Sequence, residues 1–233
     1  MIVTIHQPEY LPWLGFFDRL FKSDAFVVLD DVGYQKNGFI NRNKIKTKDG
    51  WQWLTVPVKG RSPNKKINEV LIDNEKKWQE GQLSFIKNNY SDSPYFETYY
   101  DFLKETFNKN WEGISDLDVY LIEKISGFLG IKTKIEKVST LDIGGEKNQR
   151  LINICKKIRA DAYLSGPGGK NYMDLDLFKK EGINVVFQEF SHPEYSQMFK
   201  EQGFLKEMSV IDLLFNCSSQ GLEIIKLGSK KET

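Results

Sequence analysis

Residues 1–31 have the sequence MIVTIHQPEYLPWLGFFDRLFKSDAFVVLDD, which contains the signals of a strand, a helix and a second strand. An apolar, β-branched run leads to His6, and the prolines at positions 8 and 12 exclude regular helix between them. From Trp13 onward, apolar side chains recur every three or four residues, as on one face of a helix. Residues 25–29 are uniformly apolar, which is typical of a strand buried on both faces in a parallel sheet.

The same alternation returns in the second half of the chain. Residues 133–138, 160–165 and 182–187 have strand character, and a helix face that includes Cys155 lies between the first two. Strands joined by crossover segments pair in parallel with right-handed connections. The sequence therefore predicts an α/β fold, a mainly parallel sheet flanked by helices of the Rossmann-like or nucleotidyltransferase-like kind.

The middle of the chain has a different pattern. Residues 52–58 and 67–72 alternate between apolar and polar side chains on either side of the loop 60–64, which predicts a hairpin. Residues from about 75 to 130 predict three amphipathic helices.

Length and pattern together predict one α/β domain over residues 1–233. A hairpin plus helical insertion is expected at about 50–130, and a flexible tail at 226–233. The 16 Phe, 10 Tyr and 5 Trp residues exclude a disordered chain.

Charge and composition restrict the classes of binding partner and the cellular compartment that we expect. The 33 Lys and Arg residues against 32 Asp and Glu leave no basic excess, which argues against a nucleic-acid partner. Cys155 and Cys217 have neither a disulfide pattern nor zinc spacing, as expected in a reducing cytoplasm. No apolar run is long enough for a signal peptide or a membrane span. We expect a cytoplasmic protein without membrane insertion.

Polar clusters follow the predicted strands. His6 with Gln7, Asp30 with Asp31, residues 166–170 and residues 188–195 each come directly after a strand. Ligands of open parallel sheets bind beyond the carboxyl ends of the strands. A shared binding site at that edge is therefore expected.

The two histidines of the chain lie in nearly identical sequence motifs, HQPEY from His6 and HPEY from His192. A histidine at a strand end can accept a proton near neutral pH or contact a phosphate, although a ring bonded only to backbone is the ordinary alternative. Asp30 and Asp31 can accept from a substrate or simply form a turn. We assign catalytic roles to His6, Asp30 and Asp31, and we predict no metal site.

The expected substrate-binding residues are Gln7, Tyr10, Trp13, Lys36, Asn41, Arg42, Asn43, Ser165, Gly166, Gly168, Gly169, Lys170 and His192. Lys36 and Arg42 can grip a diphosphate or carboxylate, and the two asparagines can bond sugar hydroxyls. A solvated loop is the alternative, and the lysine-rich residues 44–48 are predicted to be one.

The glycine-rich residues 165–170, SGPGGK, resemble a phosphate cradle in which Lys170 adds positive charge. They are not a Walker A motif, because Asn171 follows the lysine. A tight strand-to-helix turn explains the glycines equally well. The chain also lacks the Gly-x-Ser-x-Gly, Gly-x-Gly-x-x-Gly and His-Glu-x-x-His motifs of three other enzyme classes.

Five words of the sequence resemble the WbqC-like family: HQPEYLPW at 6–13, NRN at 41–43, WLTVPV at 53–58, SG at 165–166 and SVIDLLFN at 209–216. The resemblance covers residues 2 to about 217. It implies a bacterial protein of gene clusters for O-antigen, capsule or other surface glycans.

The resemblance further implies a transferase that moves an acyl or aminoacyl group to the amine of a nucleotide-linked amino sugar. His6 or Asp30 would take the proton of the amine, and the donor would be an acyl or aminoacyl carrier. The expected partners are a nucleotide-sugar or another small-molecule substrate, and a homo-oligomer stays open.

Two alternatives use the same residues differently. A nucleotidyltransferase-like or adenylate-forming enzyme would use a histidine and a lysine to steady phosphates. A non-catalytic glycan-binding or scaffolding protein would bind its ligand without turnover.

Overall fold

The computed structural model describes residues 1–60 and 65–229. The strands are β1 Ile2–His6, β2 Ala25–Val28, β3 Arg42–Thr47, β4 Gly50–Thr55, β5 Lys134–Lys137, β6 Ala162–Ser165 and β7 Asn184–Phe187. The α-helices are α1 Leu14–Phe21, α2 Trp78–Tyr90, α3 Phe96–Phe107, α4 Ile114–Phe128, α5 Lys147–Lys157, α6 Leu175–Lys180, α7 Val210–Cys217 and α8 Gly221–Gly228.

Five strands form one parallel sheet in the order β5-β2-β1-β6-β7. The first strand lies at its centre, so His6, Ser165 and Phe187 end their strands at the same edge. The prediction of an α/β fold with a parallel sheet flanked by helices is confirmed.

The sheet buries apolar side chains on both faces. Phe26 and Val28 belong to a core shared with α1, α4 and α7, whereas Ala25 and Val27 belong to a second core with α5 and α6. Successive side chains of a strand point to opposite faces. This explains why residues 25–29 are apolar without interruption.

The antiparallel hairpin lies earlier in the chain than expected. It pairs β3 with β4, and only an isolated bridge between Val58 and Ile72 links the two predicted strands in the described part of the chain. Residues 44–48 were predicted to be a solvated loop, yet Lys46 in β3 is fully buried and its Nζ donates to the Gly203 carbonyl at 2.6 Å. A lysine stem covered by apolar neighbours, with its ammonium capped by a carbonyl, accounts for the error. Residues 61–64 of the predicted loop lie outside the described residues.

Three helices, α2, α3 and α4, follow the hairpin as the amphipathic pattern predicts. At the other end, residues 226–228 of the expected flexible tail form the end of α8, where Gly228 is buried. Residues 230–233 lie outside the described residues. Within the described ranges, no helix has the length and apolar character that a membrane crossing needs.

Candidate functional site

A cleft of about 270 Å³ opens at the carboxyl ends of β1, β6 and β7. Its walls include His6, Glu9, Trp13, Arg19, residues 165–169 and Gln188. The cleft therefore lies where ligands of open α/β sheets bind.

The segment after β1 is held in a fixed shape. Leu11 has a left-handed backbone with φ 45°, which is unfavourable for a side chain with a Cβ. Asn43 compensates, because its buried Nδ2 donates to the Leu11 carbonyl at 2.8 Å and to the Tyr10 carbonyl at 3.2 Å. The Tyr10 hydroxyl also donates to Gln82 Oε1 at 2.6 Å. This turn places Glu9 and Trp13 on the cleft beside His6.

One nitrogen of the His6 ring, Nδ1, has a hydrogen-bond partner among the described residues. Its Nδ1 lies 2.9 Å from the Gln7 carbonyl, which can only accept, so the neutral ring carries its proton on Nδ1 and leaves Nε2 as an acceptor. Burial and then the Arg19 cation lower the pKa of His6 well below its ordinary value, against a smaller opposing effect of the Gln7 hydrogen bond. The imidazole is therefore neutral at neutral pH.

Glu9 is the second titratable group of the cleft. Its Oε1 lies 3.7 Å from His6 Nδ1, and its buried Oε2 has no hydrogen-bond partner among the described residues. Burial raises the pKa of Glu9 to about 7, although the Arg19 cation acts in the opposite direction. This carboxyl group can thus gain or lose a proton near neutral pH.

Arg19 of α1 supplies a buried cation. The residue is 6% exposed, and its Nε has no hydrogen-bond partner within residues 1–60 and 65–229. Gly166 faces it closely, because a Cβ added there would lie 3.2 Å from Nη1. Burial lowers the pKa of Arg19, and the carboxyl of Glu9 is the largest of the influences that raise it. A guanidinium stays charged even so.

The glycine-rich loop lines the cleft without its lysine. Ser165 Oγ donates to the Gly166 carbonyl at 3.1 Å, and residues 167–171 form a 3₁₀ turn. Gly169 is buried where a Cβ would meet Ser165 Oγ, which supports the tight-turn explanation for that glycine. A Cβ at Gly168 would meet nothing within 4 Å. Lys170 is exposed and lies over the Phe187 ring at 5.5 Å, outside the cleft.

The two aspartates do not join the cleft. Asp30 accepts from Ser139 N at 3.1 Å and from Ser139 Oγ at 2.7 Å, and Asp31 forms an ion pair with Arg150. Both carboxylates therefore hold segments on the β5 side of the sheet. The structure shows structural contacts for Asp30, and the proton transfer expected of it stays a prediction.

The residues expected to bind sugar and diphosphate are also used elsewhere. Asn41 Nδ2 donates to the Val56 carbonyl at 2.8 Å, and Asn43 holds the turn at Leu11. Arg42 donates to the Asn37 carbonyl and lies over the Trp53 ring at 4.1 Å, while Lys36 is exposed. None of these four lines the cleft.

Among the other expected residues, Gln7 is half-buried and does not line the cleft, and its carbonyl orients the His6 ring. Tyr10 is fully buried, which excludes stacking on a ligand in this conformation. Trp13 lines the cleft as expected.

Trp13, which lines the cleft as His6 does, contacts the second histidine. The His192 ring stacks on Trp13 with centroids 6.1 Å apart, and its Nδ1 contacts the Pro193 carbonyl at 2.9 Å. His192 itself does not line the cleft, and its buried Nε2 has no partner in the described part of the chain. The second histidine motif thus lies against a tryptophan of the cleft wall.

The sequence reasoning gave no individual role to the cleft residues Glu9 and Arg19, and it named Gln188 only as part of the polar cluster 188–195. Gln188 Nε2 donates to the Gly15 carbonyl and to Asp18 Oδ2, each at 2.7 Å. Glu9 had a signal, since both histidine words contain a glutamate before the tyrosine. Arg19 had a weaker one, a charge three residues after Phe16 on a helix in which Asp18 is the other charged residue.

No group of three or more His, Cys, Asp or Glu residues in the described ranges is arranged to hold a metal ion. Burial raises the pKa of Cys155 to about 12 and that of Cys217 to about 11, so neither thiol is a reactive thiolate at neutral pH.

Comparisons with known proteins cover nearly the whole chain. The Uncharacterized protein Rv1507c of Mycobacterium tuberculosis (strain ATCC 25618 / H37Rv) is 34% identical over 228 residues, which make up 96% of this chain and 97% of that protein. No solved structure matches the chain. The profile of the WbqC-like protein family matches residues 7–224. The chain belongs to the WbqC-like protein family.

Proposed function

We propose that this protein is a cytoplasmic enzyme of bacterial surface-glycan biosynthesis, O-antigen or capsule, which transfers an acyl or aminoacyl group to the amine of a nucleotide-linked amino sugar. The observation that supports it most is the cleft itself, where the neutral imidazole of His6 and the carboxyl of Glu9 lie beside a buried cation. The glycan context comes from the family resemblance.

The reaction needs a proton acceptor. The amine attacks the acyl carbon with its lone pair, a carbon–nitrogen bond forms, and the bond to the carrier breaks with its electron pair going to the carrier. The amine proton must leave during this exchange and finally neutralises the carrier. Glu9, with a pKa of about 7, is matched to this task at neutral pH. His6, whose pKa is strongly lowered, is a poor base, and its Nε2 serves to accept a hydrogen bond from the amine.

The remaining walls fit the substrate. Trp13 offers an aromatic face for a sugar ring, and Arg19 offers a positive charge for a phosphoryl or carboxylate group. In this proposal Glu9 accepts the proton, a role that the sequence assigned to His6 or Asp30. Arg19 binds the anion, a role that the sequence assigned to Lys36 and Arg42.

A nucleotidyltransferase-like or adenylate-forming activity is the second candidate. The buried arginine beside a glycine-rich loop favours it, since such groups stabilise charge on transferred phosphates. It predicts pyrophosphate release from ATP or CTP.

The test is a reaction with a UDP-linked amino sugar and an acyl-coenzyme A or aminoacyl-adenylate, followed by mass spectrometry. We expect an N-acylated sugar, and a loss of roughly a hundredfold or more in rate for Glu9→Gln, which removes the proposed proton acceptor. The matched control is Lys180→Met, an exposed residue of α6. Pyrophosphate release without acylated sugar would replace the proposal by the second candidate, and binding without any turnover would support a glycan-binding protein.

A further inference from the structure

The Arg19 guanidinium is a buried charge without a counter-ion in contact. It is 6% exposed, its Nε is unpartnered, and no acidic side chain of the described residues forms an ion pair with it. An uncompensated charge in a protein interior is strongly unfavourable. A ligand anion that reaches Arg19 from the cleft would supply the missing charge and relieve this cost.

The nearest acids do not fill this gap. The Asp18 carboxylate is committed to Gln188 Nε2 at 2.7 Å, to Lys22 Nζ at 3.4 Å and to the Ser229 hydroxyl. Glu9 acts on Arg19 by electrostatic attraction without an ion-pair contact among the described residues, and it is only partly ionised near neutral pH. The negative charge available to Arg19 within the protein is therefore incomplete.

The loop opposite the guanidinium leaves room for a ligand. Gly166 has no side chain at the point where a Cβ would come within 3.2 Å of Arg19 Nη1. A Cβ at Gly168, on the same wall, would meet nothing within 4 Å. The approach to the cation from the cleft is thus open.

We propose that Arg19 and the Gly166 side of the loop form an oxyanion-binding subsite for the phosphoryl or carboxylate group of the substrate. The subsite deepens the proposed function, on which it rests only for the identity of the molecule that carries the anion. Fork-like pairing of a guanidinium with two oxygens gives such a contact both strength and orientation.

The subsite carries a built-in pH dependence. Glu9 faces His6, Arg19 and, from α4, Asp118, whose pKa burial raises well above its ordinary value. His6 is uncharged at neutral pH, and Arg19 is the charge that favours ionised Glu9. An anion bound to Arg19 removes that support, and Glu9 then takes up a proton. Affinity for the anion therefore falls as pH rises through about 7.

Sodium sulfate is the probe, because sulfate does not titrate in this range. The imidazole ¹⁵N signals of His6 are followed during titration at constant ionic strength, with sodium phosphate and sodium acetate as separate arms for the two oxyanion types. We expect saturable shifts in the wild type, at least tenfold weaker binding in Arg19→Met, and unchanged binding in Lys180→Met, which removes one exposed charge.

A second variant keeps the charge of Arg19. Gly166 has φ −65° and ψ 164°, which alanine adopts freely, so Gly166→Ala blocks the subsite without backbone strain. We expect at least tenfold weaker sulfate binding, whereas Gly127→Ala, on an open face of α4, binds like the wild type. Equal sulfate binding by wild type, Arg19→Met and Gly166→Ala, or no saturable binding at all, overturns the subsite. Sulfate binding in a protein that transfers no acyl group overturns the proposed function and leaves the subsite intact.

Discussion

At the scale of single residues, the cleft owes its chemistry to burial. His6 is kept neutral and Glu9 is kept close to its titration point by the same low-dielectric surroundings, with Arg19 acting on both in the direction of proton loss. Sequence reasoning found His6 because a histidine at a strand end is conspicuous. It could not find Arg19, because the position of a helix charge relative to a distant loop depends on packing.

Glu9→Gln should make the protein more stable at high pH. The folded-state pKa of about 7 lies above the ordinary 4.5, so an unfolded chain loses this proton first. Ionisation of Glu9 therefore lowers the free energy of unfolding of the wild type. This loss is absent below pH 4.5, grows between pH 4.5 and 7, and reaches about 3 kcal/mol above pH 7. Urea unfolding should show the gain of Glu9→Gln over wild type at pH 8 and little of it at pH 5. A difference that is the same at both pH values would contradict a raised pKa.

At the scale of elements, the spacing of apolar residues along the chain predicts the strands and helices that depend on local sequence. The β1–α1–β2 unit and the strands β6 and β7 follow apolar spacing along the chain, and the structure has them where the sequence places them. The hairpin is displaced because β3 depends on Lys46, whose ammonium bonds a carbonyl 157 residues away. No spacing rule contains that contact.

The element-scale role of Asp30 can be measured. Asp30→Ala removes two hydrogen bonds that join the end of β2 to the segment after β5, both to a carboxylate. We expect the free energy of unfolding to fall by about 2–3 kcal/mol, since bonds to charged groups are worth more than neutral ones. Chemical denaturation at pH 7 checks this. A variant of normal stability that has lost acyl transfer would instead support the catalytic role assigned to Asp30 from sequence.

At the scale of the whole molecule, the family words form one support for the cleft. Asn43 of the NRN word holds the Leu11 turn of the HQPEYLPW word. The SVIDLLFN word closes over both, as Ser209 N donates to the Lys44 carbonyl and Val210 N to the Pro12 carbonyl, each at 2.8 Å. Three of the five matched motifs therefore meet at the turn that follows the first strand, although they lie far apart in the chain. These motifs can be recognised in the sequence. Only the fold shows that some of them support the cleft from behind and that others line it.

Titration of ¹⁵N-histidine protein with a UDP-linked amino sugar tests most directly whether this cleft binds such a molecule beside His6, because the chain has only two histidines. We predict a saturable shift of the His6 signals, a smaller shift of His192 through the Trp13 stack, and at least tenfold weaker binding in Arg19→Met. Saturable binding, detected by calorimetry, that leaves the His6 signals unmoved and is unchanged in Arg19→Met would contradict the account.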